Sequence, residues 1–202
     1  MTVTERIRKQ VEQLPEGQPF KAAEMLQFGS RAAVDQALSR LSKMHNGIVR
    51  VTRGVYVRPK INKYVGLVLP EPQKVAEVIT HSKIEVHGAE AARHFQLTTQ
   101  VPTQPIYYTS GPSRTFRIGK LKIVLRHVSE RKLELAGQEA GLALNALSYL
   151  GKENVTPSVI EKIKNKMSPS QFEKLKSATR LMPAWMSDAL YRYENGQRAR
   201  RA

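Results

Sequence analysis

Cationic and hydrogen-bonding side chains recur between residues 30 and 58 at spacings that place most of them on one face of a helix. They are Ser30, Arg31, Gln36, Ser39, Arg40, Lys43, Arg53 and Arg58. Arginine and lysine pair with phosphates, while arginine, glutamine and serine also reach hydrogen-bonding groups on base edges. These residue types therefore indicate recognition of a nucleic acid rather than a chemical reaction.

The elements that would position these side chains form a continuous pattern. A helix capped by Ser30 and ending at Met44 has an apolar stripe of Val34, Ala37, Leu38, Leu41 and Met44. A turn at Asn46-Gly47 then leads into a hairpin over residues 48–57, with Arg53 at its tip. Before it, the sequence predicts a helix capped by Thr4, a stop at residues 15–17 and a short helix over 20–26. This order predicts a winged helix-turn-helix domain over residues 1–65.

The rest of the chain predicts a mixed α/β domain over residues 66–195, with a helical C-terminal end and a basic tail at 196–202. Prolines at 59, 70 and 72 indicate that residues 62–72 form a connection, followed by helices over 73–82 and 87–95. Strands are expected at 106–109, 115–118 and 122–127. Helices are expected at 138–150, from Thr156-Pro157, from Ser168-Pro169 and at 183–193, the last with an apolar stripe including Trp185. The predicted fold class is therefore α+β.

A second set of basic residues follows the predicted strands of the second domain. The set comprises Arg114, Arg117, Lys120, Lys122 and Arg126. Alternation along a strand places Arg117 opposite its apolar neighbours. Two interpretations stay open, a solvated sheet face or a contact with an acidic partner or a second stretch of DNA. Residues 110–113 (Ser-Gly-Pro-Ser) could cradle a phosphate, but a hairpin turn is favoured because strands flank them.

Composition narrows the class of protein. The chain has 33 Lys and Arg against 17 Asp and Glu, a formal charge of +16, and no cysteine. Such a charge favours polyanionic partners, and the missing cysteines exclude disulfides and thiolate metal sites. The first residues lack the apolar core of a signal peptide, and no apolar run is long enough to cross a membrane. We therefore expect a cytoplasmic protein with no membrane partner.

Catalysis is not expected. A nucleotidyltransferase needs closely spaced carboxylates to hold a metal, but Asp35 and Asp188 are the only aspartates. Of the histidines, only His87 and His94 share a helix face at a seven-residue spacing, and a structural or surface role is favoured over metal binding. We expect no catalytic residues, no metal site and no cofactor.

Five segments resemble parts of a known family. Residues 29–41 (GSRAAVDQALSRL) and 51–59 (VTRGVYVRP) resemble the N-terminal domain of AbiEi-like antitoxins, and residues 109–114 (TSGPSR), 118–119 (IG) and 125–127 (LRH) resemble the following part. The similarity covers most of residues 1–150. The resemblance implies a type IV toxin–antitoxin or phage-defence system, in which the winged domain binds its own promoter. It also implies a nucleotidyltransferase toxin encoded nearby.

The leading hypothesis is a DNA-binding transcriptional repressor that acts as the antitoxin of such a pair. Its candidate partners are double-stranded promoter DNA, the nearby toxin and a second copy of the chain. The alternative is a non-enzymatic interaction module whose winged domain binds protein, although protein interface cores are usually depleted of charge.

Overall fold

The computed structural model describes residues 1–44 and 47–199 and has the predicted α+β class. The chain divides into two compact units. The first comprises Met1–His81 and Arg114–Val124, and the second comprises Ser82–Ser113 and the chain from Leu125 onward. The predicted boundary near residue 65 thus differs from this division. The first unit continues through a further helix that packs on its sheet, and it includes a segment from much later in the sequence.

The first unit begins with the elements of a winged helix. Their order is α1 (Val3–Glu12), β1 (Pro19–Lys21), a 3₁₀ helix (Ala22–Phe28), α2 (Arg31–Leu41), β2 (Val49–Thr52) and β3 (Val55–Val57). The three strands form an antiparallel sheet in the order β1-β3-β2. Strand β3 is therefore central, and β2 and β3 form the hairpin that follows α2.

The core of this unit lies between the helices and the sheet. Ile7 of α1 and Val34 and Leu38 of α2 are completely buried, and the Phe20 and Tyr56 rings stack with centroids 6.1 Å apart across β1 and β3. Burying apolar side chains of this size is the main favourable term in folding. The apolar stripe predicted for α2 is confirmed except at Met44, which lies beyond the helix and is 48% exposed.

Several local predictions in this unit were wrong. Thr2 rather than Thr4 caps α1, with its hydroxyl accepting from the Glu5 N–H. The helix predicted over 20–26 is a strand followed by a 3₁₀ helix, because residues 19–21 pair with residues 55–57. The turn predicted at Asn46-Gly47 lies partly outside the described residues, since the description resumes at Gly47.

The segment predicted as a connection, residues 62–72, contributes to a second hairpin and a helix. Strands β4 (Lys60–Asn62) and β5 (Gly66–Val68) pair antiparallel, and α3 (Pro72–Thr80) follows them. The Asn62 side chain closes the turn by accepting from the N–H groups of Tyr64 and Val65. Five apolar side chains in and beside this hairpin are exposed, namely Ile61, Tyr64, Val65, Leu67 and Leu69.

The second unit is mainly helical. It contains β6 (Ile84–Val86), α4 (Gly88–His94), β7 (Ile106–Thr109), a 3₁₀ helix (Glu130–Leu133), α5 (Glu139–Leu150), α6 (Pro157–Asn165), α7 (Pro169–Ser177) and α8 (Ala184–Ala199). Short 3₁₀ helices at Lys152–Asn154 and Thr179–Leu181 connect the later helices. Its core is continuous from α4 to α8.

The stripe on α8 packs into this core, as predicted. Met182, Met186, Leu190 and Tyr193 are buried and Trp185 is partly buried. Helix α8 continues to Ala199, so Gly196–Ala199, predicted as part of the basic tail, are helical, and residues 200–202 lie outside the description. Strand β6 was not predicted.

Two strands complete a four-stranded sheet, β8 (Arg114–Ile118) and β9 (Leu121–His127), in the order β6-β7-β9-β8. Strand β9 lies between β7 and β8, so residues 110–113 do not form the predicted hairpin turn. They form instead a connection between β7 and β8 that hydrogen bonds to Thr109 and His127 hold in place. The Ser113 hydroxyl accepts from the His127 N–H, and the Gly111 N–H donates to the Thr109 hydroxyl.

Candidate nucleic-acid interface

Helix α2 separates an apolar face from a cationic one. Val34, Ala37, Leu38 and Leu41 are buried, whereas Arg31, Gln36, Ser39 and Arg40 are exposed. Ser30 begins the helix with its hydroxyl accepting from the Ala33 N–H at 3.4 Å. The capping interaction and the buried stripe together fix which face points outward. Ser30 therefore serves as the N-cap of α2, and the exposed side chains of Arg31, Gln36, Ser39 and Arg40 form its outer face.

The cations at the end of α2 are free of protein partners. Arg40 and Lys43 are exposed, and within residues 1–44 and 47–199 their side chains form no ion pair or hydrogen bond; the same holds for Gln36 and Ser39. The Ser39 carbonyl, by contrast, accepts from the Ser42 hydroxyl. Long cationic side chains that no carboxylate holds can pair with phosphates without first breaking an internal contact.

Arg31 differs from these residues because it has an internal partner. Its Nε lies 2.9 Å from an Asp35 carboxylate oxygen, and the two side chains are 64% and 50% exposed. Exposed ion pairs of this spacing contribute little to stability. Arg31 can therefore exchange Asp35 for a phosphate at small cost, but Asp35 offsets part of the local positive charge.

The β2–β3 hairpin presents two further arginines. Arg53 lies exposed at the tip beside Gly54, whose positive φ of 74° makes the tight turn. Arg50 on β2 is also exposed and precedes the buried Val51. Arg50 was not among the predicted site residues. The alternation of an exposed cation with a buried valine in this strand was the signal that could have identified it.

Arg58, predicted to contact DNA, is partly buried and is held by contacts within the protein that its sequence context did not indicate. Its guanidinium donates to the backbone carbonyls of Glu12 and Leu14 at 2.9 and 3.0 Å and lies 3.7 Å from the Glu16 carboxylate. These contacts tie the end of α1 and the residues just after it to the end of β3. Arg58 is thus placed to hold the first unit together, and contact with a ligand would compete with these hydrogen bonds.

The second predicted basic set is divided between the units. Arg114, Arg117, Lys120 and Lys122 lie exposed in the first unit, whereas Arg126 belongs to the second. Within the first unit, β8 contacts β2 of the winged sheet. Burial and, to a lesser extent, the nearby Arg114 lower the pKa of Lys21, with Glu24 opposing them. Residues 114–124 contain four basic residues and no acidic one, so this segment adds positive charge to the first unit.

The described part of the chain contains no group of three or more His, Cys, Asp or Glu residues placed to hold a metal ion. His81 ends α3, His87 begins α4, His94 packs on Phe95, and His127 bonds the Gly111 carbonyl; His45 lies outside the description. No helix over the described ranges is long and apolar enough to span a membrane.

Comparison with known proteins places the chain in a family without assigning an activity. Residues 6–175 match the model of a family of unknown function (DUF6088), and the chain belongs to that family. No curated protein and no solved structure matches the chain.

Proposed function

We propose that this member of the DUF6088 family is a DNA-binding transcriptional repressor whose first unit binds double-stranded DNA. Helix α2 enters the major groove, where Arg31, Gln36 and Arg40 meet bases or phosphates. Arg53 at the hairpin tip meets the backbone or the minor groove. The observation that carries the proposal is the outer face of α2 and of the residues directly after it. There Arg40 and Lys43 are exposed and have no partner among the described residues, opposite a buried apolar stripe.

Electrostatics support the same assignment. The formal charge of +16 draws the chain to a polyanion, and counterion release then favours binding. In the first unit, Arg50 on β2 and the basic residues of β8 add positive charge on elements that contact each other. This charge would add phosphate contacts to those made by α2 and the hairpin tip.

The narrower proposal is that the repressor is the antitoxin of a type IV pair and regulates its own promoter. The resemblance of residues 29–41 and 51–59 to AbiEi-like antitoxins supports it. Under this proposal the protein acts in the cytoplasm in phage defence, pairs with a nucleotidyltransferase toxin encoded nearby, and uses two copies on repeated promoter sites. An adjacent nucleotidyltransferase gene whose toxicity this protein suppresses would support the pairing.

Arg40→Ala should weaken binding to a fragment carrying the gene's own promoter by about 1–3 kcal/mol. The Arg40 guanidinium is exposed and has no partner among the described residues, so its removal should not lower the stability of the fold. Fluorescence anisotropy with the full chain measures the affinity. Arg192→Ala is the matched control, because it removes the same charge from an exposed position of α8 in the other unit. Equal losses in both variants would place the DNA surface elsewhere.

A second candidate function, a protein-interaction module, is favoured by one observation. Hairpin β4–β5 exposes apolar side chains, with Tyr64 81% and Val65 74% exposed. Clustered exposed apolar side chains often mark interaction surfaces. This surface lies on the same unit but is formed by residues other than those of α2. An Ile61→Ser, Leu67→Ser double variant that retains DNA affinity but loses a protein partner would assign the two surfaces to separate tasks.

A further inference from the structure

A compact polar cluster lies in the second unit and is formed by residues other than those assigned to DNA. The Lys132 ammonium sits 4.4 Å from the centroid of the Tyr108 ring, and the His87 ring lies 5.2 Å from the same ring. Arg126 is close enough to act electrostatically on all three groups. The start of α4, strands β7 and β9 and the 3₁₀ helix Glu130–Leu133 thus bring together residues that are far apart in sequence.

Each member of the cluster can offer a hydrogen-bond donor. Lysine and arginine side chains donate only. The His87 Nδ1 accepts from the Ala89 N–H at 3.3 Å, so in the neutral ring the proton is on Nε2, which can donate. Burial, then Arg126 and Lys132, lower the pKa of His87, which favours that neutral form. The Tyr108 hydroxyl accepts from the Gly88 N–H, which leaves its own O–H as a donor.

The cluster has no acceptor to match these donors. Over the described ranges, no carboxylate forms an ion pair with Arg126 or Lys132. Two acids close in sequence to cluster residues are engaged elsewhere. Glu85 accepts from the N–H groups of Gly137 and Val86, and Glu134 pairs with Arg180. Burial and then the neighbouring Arg126 lower the pKa of Lys132, and its ammonium faces the Tyr108 ring rather than a carboxylate.

We propose that His87, Tyr108, Arg126 and Lys132 form a binding site for a phosphoryl group. The oxygens of a phosphoryl group accept several hydrogen bonds, and its negative charge would pair with Arg126 and Lys132. Such charge-assisted hydrogen bonds are stronger than those between neutral groups. The site is separate from the proposed DNA surface and does not depend on it, because all four residues belong to the second unit.

One neighbouring side chain bears on the source of the phosphoryl group. The Tyr149 ring meets the His87 ring edge-on at 6.0 Å and is 44% exposed. An exposed aromatic ring beside cations can stack on a base. The phosphoryl group can therefore come from a free nucleotide, from single-stranded nucleic acid or from an inorganic phosphoanion, and the test must distinguish these sources.

Isothermal titration of the full chain with pyrophosphate, ATP and a short thymidine oligonucleotide, at constant ionic strength, tests the site. We expect saturable binding of at least one probe. Lys132→Gln and Arg126→Gln should each weaken that binding at least about tenfold. The matched controls Lys162→Gln and Arg192→Gln remove the same charges at exposed positions of α6 and α8 and should bind as the parent chain does.

The pattern of probes identifies the ligand. Equal affinity for pyrophosphate and ATP assigns the site to the phosphoryl group alone, whereas tighter ATP binding that Tyr149→Ala removes assigns it to a nucleotide. Binding of the oligonucleotide alone, with the same loss in the two cluster variants, assigns it to a nucleic-acid backbone.

Thermal melts confirm that each variant is folded, and if Lys132→Gln unfolds the chain, Arg126→Gln decides. No binding of any probe at about 1 mM, or equal losses in cluster and control variants, would overturn the proposal. Arg40→Ala should bind all three probes as the parent chain does. Failure of the phosphoryl-site proposal would therefore leave the DNA assignment standing, and failure of the DNA assignment would leave the phosphoryl-site proposal standing.

Discussion

Leu38→Ala in α2 should lower the free energy of unfolding by about 2–5 kcal/mol. Leu38 is 0% exposed and packs in the core that joins α1, α2 and the winged sheet. The substitution removes buried methyl groups and leaves a cavity that close-packed neighbours fill only in part. Denaturant unfolding followed by circular dichroism measures the change.

Met44→Ala is the control for this substitution, because the sequence pattern assigns both residues to one buried stripe. In the structure Met44 is 48% exposed, so its truncation should change stability by less than about 0.5 kcal/mol. Similar destabilisation by the two substitutions would mean that α2 continues past Leu41 and buries Met44, contrary to the fold described above.

Raising the salt concentration from 50 to 200 mM should weaken promoter binding by about 10³–10⁵-fold if 6–10 phosphates are contacted. Each neutralised phosphate contributes a slope of about −0.9 to log K against log salt. Lys43→Gln removes an exposed, unpaired cation at the end of α2 and should reduce that slope by about 1. Anisotropy titrations over a range of salt concentrations provide both numbers.

Lys162→Gln is the matched control for the slope, since it removes an exposed lysine from α6 in the other unit. It should leave the slope unchanged. A flat salt response of the parent chain would contradict the electrostatic basis of the DNA assignment and favour the protein-interaction function.

The sequence predicted the helices well because their signals are local. Ser30, Thr156-Pro157 and Ser168-Pro169 each begin a helix as expected, and the stripe from Val34 to Leu41 is buried. A capping residue and a 3.6-residue period lie within one stretch of chain, so no distant segment is needed to recognise them.

The errors fall where the structure depends on distant segments. Strands Pro19–Lys21, Lys60–Asn62 and Ile84–Val86 have three residues each, too few to show an alternating pattern, and each forms only by pairing with another strand. The first unit likewise includes Arg114–Val124, which a boundary drawn near residue 65 separates from it. Strand pairing, not local propensity, fixes these features.

The candidate site was predictable in outline for the same reason. Helical spacing correctly predicted exposed positions for Gln36, Ser39 and Arg40. The spacing could not show that Arg58 is held by the carbonyls of Glu12 and Leu14, because those contacts close between elements more than 40 residues apart. It also could not show that Arg126 belongs to the second unit while the other four basic residues of its predicted set belong to the first.

The measurement that tests the DNA assignment most directly is crosslinking from single cysteines. The chain has no cysteine, so Ser39→Cys on the outer face of α2 and Ser158→Cys on α6 each provide one labelling position for a photoreactive group. Both serines are exposed, which matches their accessibility to the label. With promoter DNA bound, we expect the Ser39 position to crosslink to DNA and the Ser158 position not to. Equal crosslinking from the two positions, or crosslinking from Ser158 alone, would contradict the placement of DNA on α2.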